Sequence, residues 1–243
     1  VALHEQTYLE TFAKEDTKDV VKRKLLEDLN NWQSIYNKGQ LAPFKLKFFL
    51  TIIISIFIFP QYLLSSQFGL NMGETKEDIS NKGVSLKDDG NYWYTTKDLP
   101  KGNSKLTKYD LLITPKSGLC KIYSYTDVIY SNSFGNQLKS EFEFFEKALT
   151  KKYGDNEKYD FVQSGSIWND TQYWMMGLLK KERYLTAFWS KKNGSNLPQN
   201  NIKNITVNAS ATSNDEGYIY IAYEFLNIKE CMSEYKESLT DNI

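Results

Sequence analysis

Whatever chemistry this chain performs is done almost without imidazole. The single histidine is His4. The rest of the sequence therefore offers no Ser-His-Asp or Cys-His relay and none of the usual zinc ligand sets. No Gly-x-Gly-x-x-Gly run and no phosphate-cradling Gly-Lys-Ser/Thr loop occurs. No metal and no cofactor is expected. Asp88-Asp89-Gly90-Asn91 looks like a piece of a calcium loop. It lacks the later, regularly spaced ligands and reads as a surface turn. Glu141, Glu143 and Glu146 flank an apolar helical stripe. Carboxylate chemistry on a glycan stays open through them, but a solvated helix face is the simpler reading.

Two other groups carry more information. Trp168, Tyr173, Trp174 and Trp189 lie near Lys180, Lys181 and Arg183. Large amphipathic rings beside cations suit a sugar, a peptide or a protein partner, so these seven residues form the candidate binding set. The competing reading puts the rings in the core and the charges at a hairpin tip. The second group is Cys120 and Cys231. In an oxidising compartment an even pair invites a disulfide, whereas two separate thiols, Cys120 buried in a strand and Cys231 in the tail, would leave no cross-link. No Cys-x-x-Cys occurs, so redox catalysis is not expected. Asn-x-Ser/Thr sequons begin at Asn169, Asn193, Asn204 and Asn208. They matter only in a host that glycosylates exported proteins.

These residues must be positioned by the elements around them. The chain has 243 residues, with 17 Tyr, 14 Phe and 5 Trp. That aromatic load favours pleated, half-buried surfaces. Tyr92–Thr96, Tyr109–Thr114 and Leu119–Ile129 read as strands, the last two joined by a turn at Pro115-Lys116-Ser117-Gly118. The period then changes. Leu138, Phe142, Phe145, Leu149 and Tyr153 recur at helical spacing and Gly154 follows, which predicts a long helix over about 137–153. Beyond it, Tyr173–Lys180 and Arg183–Ser190 read as a hairpin about Lys181-Glu182. Ile205, Val207 and Ala209 alternate with polar residues, and Tyr218–Leu226 suits a central strand. Residues 229–242 read as a polar tail. Thr75 and Asp78 form a capping-box pattern and Gly83 a stop, so a short helix is expected over about 75–82. The expected fold class is α+β: a mainly antiparallel sheet with one long helix and a short N-terminal helix packed on it.

The compartment is set by residues 45–66. Lys45 and Lys47 precede an apolar run from Phe48 to Phe59, Pro60 breaks it, and Ser65 and Ser66 follow. That is the order of a secretory signal. The run is short of the ~20 apolar residues a spanning helix needs. An uncleaved anchor through Phe48–Leu64, or a buried core helix, are the alternatives. The expected domains are thus a helical extension (1–44), a signal peptide or membrane anchor (45–66), and an exported α+β domain (67–243). The extension reflects either a natural start close to Lys45 or a fused relic. The exported part carries 22 basic and 23 acidic residues. With 30 of each sign in the whole chain, no global field attracts nucleic acid.

Two short runs resemble known families. Leu26-Glu-Asp-Leu29-Asn-Asn-Trp32-Gln-Ser-Ile-Tyr36-Asn37, on a helix face over 17–37, resembles the last helix of an integrase-core transposase. The likeness implies a relic, since no acidic triad accompanies it. Phe68-Gly-Leu70-Asn-Met72-Gly73-Glu-Thr75-Lys-Glu-Asp78-Ile79 through Gly83 resembles the opening of small outer-membrane-assembly lipoproteins and related inhibitor-like α+β domains. The lipid-bearing cysteine of those lipoproteins is absent. The likeness implies a short helix packed on an antiparallel sheet. The functional expectation is a non-catalytic periplasmic or secreted protein that binds another envelope protein or polymer, as an inhibitor-like or assembly module. A carboxylate-dependent envelope glycan hydrolase and a single-pass membrane-anchored protein are the alternatives.

Overall fold

A computed structural model describes residues 66–240. The helix over 17–37 and the signal-like run before Ser66 lie outside them. The described chain is α+β, built on one nine-stranded antiparallel sheet. In chain order the elements are α1 (Lys76–Ser80), β1 (Lys87–Gly90), β2 (Trp93–Thr96), β3 (Lys108–Thr114), β4 (Gly118–Tyr125) and β5 (Ile129–Tyr130). Then come α2 (Asn136–Tyr153), β6 (Glu157–Val162), α3 (Trp174–Leu179), β7 (Arg183–Ser190), β8 (Ile202–Ala211), β9 (Glu216–Phe225) and α4 (Ile228–Thr240). The strands lie side by side in the order β1-β2-β3-β4-β9-β8-β7-β6, and β5 adds to β9.

The short and long helices expected at 75–82 and 137–153 are both present. In α1 the Thr75 hydroxyl accepts from the Asp78 amide at 3.1 Å, and the Asp78 carboxylate accepts from the Thr75 amide at 3.0 Å. That reciprocal box satisfies two orphan donors and buries Ile79 beneath the turn. In α2 the stripe Leu138, Phe142, Phe145, Leu149 and Tyr153 is buried. Burial of such side chains contributes roughly 2 kcal/mol apiece before entropy is counted. The helix opens at Gly135, whose φ of 73° is left-handed and whose missing Cβ makes room for the Trp174 indole.

Strand register sorts the sheet into two faces, because residues directly opposite share a side. On one face Leu111, Ile122, Tyr223, Ile205 and Trp189 are successive cross-strand partners, and all are buried. Together with the stripe of α2 and with Trp174, Met175 and Leu178 of α3 they make the main core. The opposite face carries a smaller cluster at the β3–β4 corner, formed by Leu112 and Cys120 with Ile228 and Cys231 of α4.

Four parts of the chain differ from the sequence-based expectation. The strand expected over Leu119–Ile129 is two, β4 and the short β5. Residues 174–179 form a helix, not the first strand of a hairpin. An unbroken Trp-Met-Met-Gly-Leu-Leu run has no period to distinguish the two. The helix is selected by its entry, where Asp170 accepts from the Gln172 amide at 3.1 Å, and by its exit, where Lys181 takes a left-handed φ of 58°. The expected polar tail is mostly the helix α4, with Ile228, Cys231, Met232 and Tyr235 on the side toward the sheet. The polar strands β1 and β6 went unanticipated. They occupy the two ends of the strand order, where only one side of a strand is paired and charged side chains guard the edge.

Candidate binding surface

The structure divides the seven residues of the sequence-based binding set. Trp174 and Trp189 are 2% and 0% exposed, so they are core residues and cannot form the floor of a platform. Trp189 donates from its ring nitrogen to the Gly154 carbonyl at 3.1 Å, which satisfies its one polar atom. Trp168 and Tyr173 remain near the surface in an edge-on pair, ring centroids 5.7 Å apart. Lys180 and Lys181 are exposed in the turn between α3 and β7. Arg183 begins β7 half-buried, its guanidinium 3.6 Å from the Asp160 carboxylate.

The carboxylates are engaged as well. Glu141 pairs with Lys105 at 2.8 Å, Glu146 with Lys158 at 2.8 Å and Glu143 with Lys147 at 3.7 Å. In Asp88-Asp89-Gly90-Asn91, Asp89 pairs with Lys87 at 2.8 Å. Among the described residues no group of three or more His, Cys, Asp or Glu is placed to hold a metal ion. Among them, too, no helix is long and apolar enough to cross a membrane.

Cys120 and Cys231 are brought into disulfide-bonding position, Cα atoms 6.3 Å apart and 111 residues apart in sequence. A bulge accomplishes this. The β3–β4 register runs from Leu112↔Lys121 to Ile113↔Leu119, so Cys120 is the extra residue. The bulge re-aims its side chain away from the main core and toward α4. Beside the cysteines, the Asn227 amide donates to the Ser117 and Leu119 carbonyls at 2.8 and 3.1 Å. Glu234 accepts from the Lys116 amide at 2.9 Å. Burial disfavours the Glu234 charge, yet hydrogen bonds from Ser117 and the neighbouring amides outweigh it and hold the carboxyl below its usual range.

The feature that sequence reading missed lies on the second face of the sheet. Among the described residues α4 packs there, at one corner. Across the rest the register sets out cross-strand rows. One row is Lys108, Tyr125, Tyr220, Asn208 and Thr186; another is Asp110, Tyr123, Ala222, Thr206 and Phe188. Five half-buried rings form a connected patch. Trp93 meets Tyr123 at 5.8 Å, and Tyr123 meets Tyr125 and Tyr220 at 6.2 and 5.7 Å. Tyr125 meets Tyr218 and Tyr220 at 6.1 and 6.2 Å. A second, separate stack joins Phe161 to Tyr184 at 5.1 Å.

Two lysines beside the aromatic patch are paired with carboxylates. Lys121 meets Glu224 at 2.8 Å and lies 4.7 Å above the Tyr123 ring. Lys108 meets Asp110 at 3.1 Å and lies 5.1 Å above Tyr125. Burial works against the Lys121 charge, but its hydrogen bonds with Glu224 and Tyr123 prevail and raise its pKa. Burial likewise favours neutral Glu224, but Lys121 and Asn204 prevail and lower it. The Tyr125 phenol is pushed up by burial and by neighbouring Asp110, and stays neutral at any ordinary pH. The surface is therefore aromatic, rich in hydroxyl and amide groups, and close to neutral. The signal was available in Tyr-x-Tyr at 123–125 and 218–220, read as strand content but not as one face.

Comparison with family models, curated proteins and solved structures yields no match to this chain. The likenesses of residues 17–37 and 68–83 rest on those short runs alone.

Proposed function

We propose that this protein is a non-catalytic, exported binding module that holds an uncharged glycan polymer on the open face of its sheet. One observation carries the reading: the connected, half-buried patch Trp93–Tyr123–Tyr125–Tyr220–Tyr218, bordered by Asn208, Thr206 and Thr186. The electron-rich face of an aromatic ring attracts the slightly positive C–H bonds of a sugar, while amides and hydroxyls exchange hydrogen bonds with its hydroxyl groups. Lys87, Lys108 and Lys121 of the face are already paired with carboxylates, so little positive charge is left over to attract an anionic partner. Export is supported by the basic-apolar-breaker-small order of residues 45–66. The approach of Cys120 to Cys231 suits an oxidising compartment.

The test is co-sedimentation with insoluble cellulose and chitin, comparing the wild type with Tyr125→Ala/Tyr220→Ala. Each ring lost should weaken binding by about 1 kcal/mol, so the double variant should bind more than tenfold less. Retention of the wild type on neither glycan, with saturable capture by an envelope protein lost in the same variant, would replace the glycan with a protein partner. Equal retention of both forms would remove the open face from the account.

A further inference from the structure

A second site lies on the other side of the sheet and depends on none of the open-face residues. A cleft of about 420 Å³ runs between α2, the sheet and the loop before β3. That volume falls in the range of small-molecule pockets, ~300–1,000 Å³. Part of its lining is apolar: Phe145 and Leu149 of α2 and Ile221 of β9 border it, beside the polar Ser66, Gln67 and Asn103. Of the polar side chains that line it, Gln67 is held from behind. The Tyr153 hydroxyl donates to the Gln67 side chain at 3.1 Å.

The rim has a different character. Lys101 and Lys152 line the cleft and are exposed. Among the described residues neither has a carboxylate within ion-pair distance, whereas nearby Lys105 is already held by Glu141. Lys152 lies 4.8 Å from the Tyr153 ring, and burial alone lowers its pKa, with no acidic group opposing it. A partly desolvated ammonium without a counter-ion attracts an anion. An apolar stretch below two cations that have no carboxylate partner among the described residues is complementary to a molecule with an apolar body and an anionic end.

We propose that this cleft binds a single-chain amphiphile with a carboxylate head, its chain between Leu149 and Ile221 and its head between Lys101 and Lys152. The probe is octanoate, titrated calorimetrically into the protein, with 1-octanol as the neutral control of equal chain length and acetate as the head alone. Octanoate should bind at one site, at least tenfold more tightly than 1-octanol, and acetate should give no heat. Lys101→Met/Lys152→Met should bring octanoate down to the level of 1-octanol. Ala148→Trp, at an exposed position of α2 that lines the cleft, should block both ligands and leave glycan retention unchanged. Both variants change exposed residues, so their melting temperatures should stay within a few degrees of the wild type. Absence of octanoate binding, equal binding of octanoate and octanol, or saturable binding that survives Ala148→Trp would each overturn the proposal.

Discussion

Opening the Cys120–Cys231 link should be the costliest single covalent change this fold can suffer. The two residues are separated by 111 positions, and both are fully buried against Leu112 and Ile228. In the chain-entropy model a closed loop of that length removes about 16 cal/mol/K from the unfolded ensemble, equivalent to about 4.8 kcal/mol at 25 °C. A domain of this size gains about 0.37 kcal/mol/K of entropy at its melting point, at ~2.1 cal/mol/K per residue. The ratio predicts a fall of about 13 °C on reduction. The folded state should otherwise persist, because α4 keeps Ile228, Met232 and Tyr235 on the sheet and the Asn227 and Glu234 hydrogen bonds to the β3–β4 turn. The assay is differential scanning calorimetry of oxidatively refolded protein with and without a phosphine reductant, alongside Cys120→Ala/Cys231→Ala. Intact mass confirms the redox state of each sample. A shift under about 3 °C, with the bond proven present before reduction, would refute the loop-closure reasoning. Two free thiols after oxidative refolding would refute the pairing itself.

Three further outcomes follow from the packing. Gly135→Ala forces a Cβ into the Trp174 ring at a left-handed φ, and should destabilise by roughly 2–4 kcal/mol in urea unfolding. Phe142→Ala empties the centre of the α2 stripe and should cost about 3–5 kcal/mol, whereas Phe144→Ala, at 47% exposure, should cost under about 1 kcal/mol. The pH dependence follows from Lys121–Glu224. The folded-state pKa of Glu224 lies below its ordinary value of 4.5, so its contribution is complete above that value and is lost as pH falls through the lowered pKa. The Lys121 pKa is raised, so its contribution is complete below 10.5 and is lost as pH climbs through the raised value. Glu224→Gln should therefore soften both limbs of a stability–pH curve measured by urea unfolding.

Legibility in the sequence followed periodicity. The α2 stripe was visible because five large apolar residues repeat at helical spacing with nothing to compete. The capping box of α1 and the turn at 115–118 were visible because their residue types have few other uses. Helix α3 was not, since an apolar run buried on most sides reads equally as a strand. Helix α4 carries its stripe at 228, 231, 232 and 235, the spacing of a half-buried helix, but the surrounding polar residues obscured it. The binding surface was the hardest part. Trp174 and Trp189 lie close together in sequence, yet helix α3 sends the first inward and strand β7 the second. The open-face rings come from β2, β4 and β9, and only the β4–β9 pairing places Tyr125 against Tyr220. A face assembled from strands nearly a hundred residues apart leaves no local trace beyond alternating tyrosines.

The glycan assignment is tested most directly by titrating isotopically labelled protein with cellohexaose and chitohexaose and following the aromatic resonances. The account predicts saturable shifts in the Trp93 indole and the rings of Tyr123, Tyr125, Tyr218 and Tyr220, with the Trp168–Tyr173 pair unmoved. Shifts confined to Trp168 and Tyr173, or none with either oligosaccharide at millimolar concentration, would contradict it.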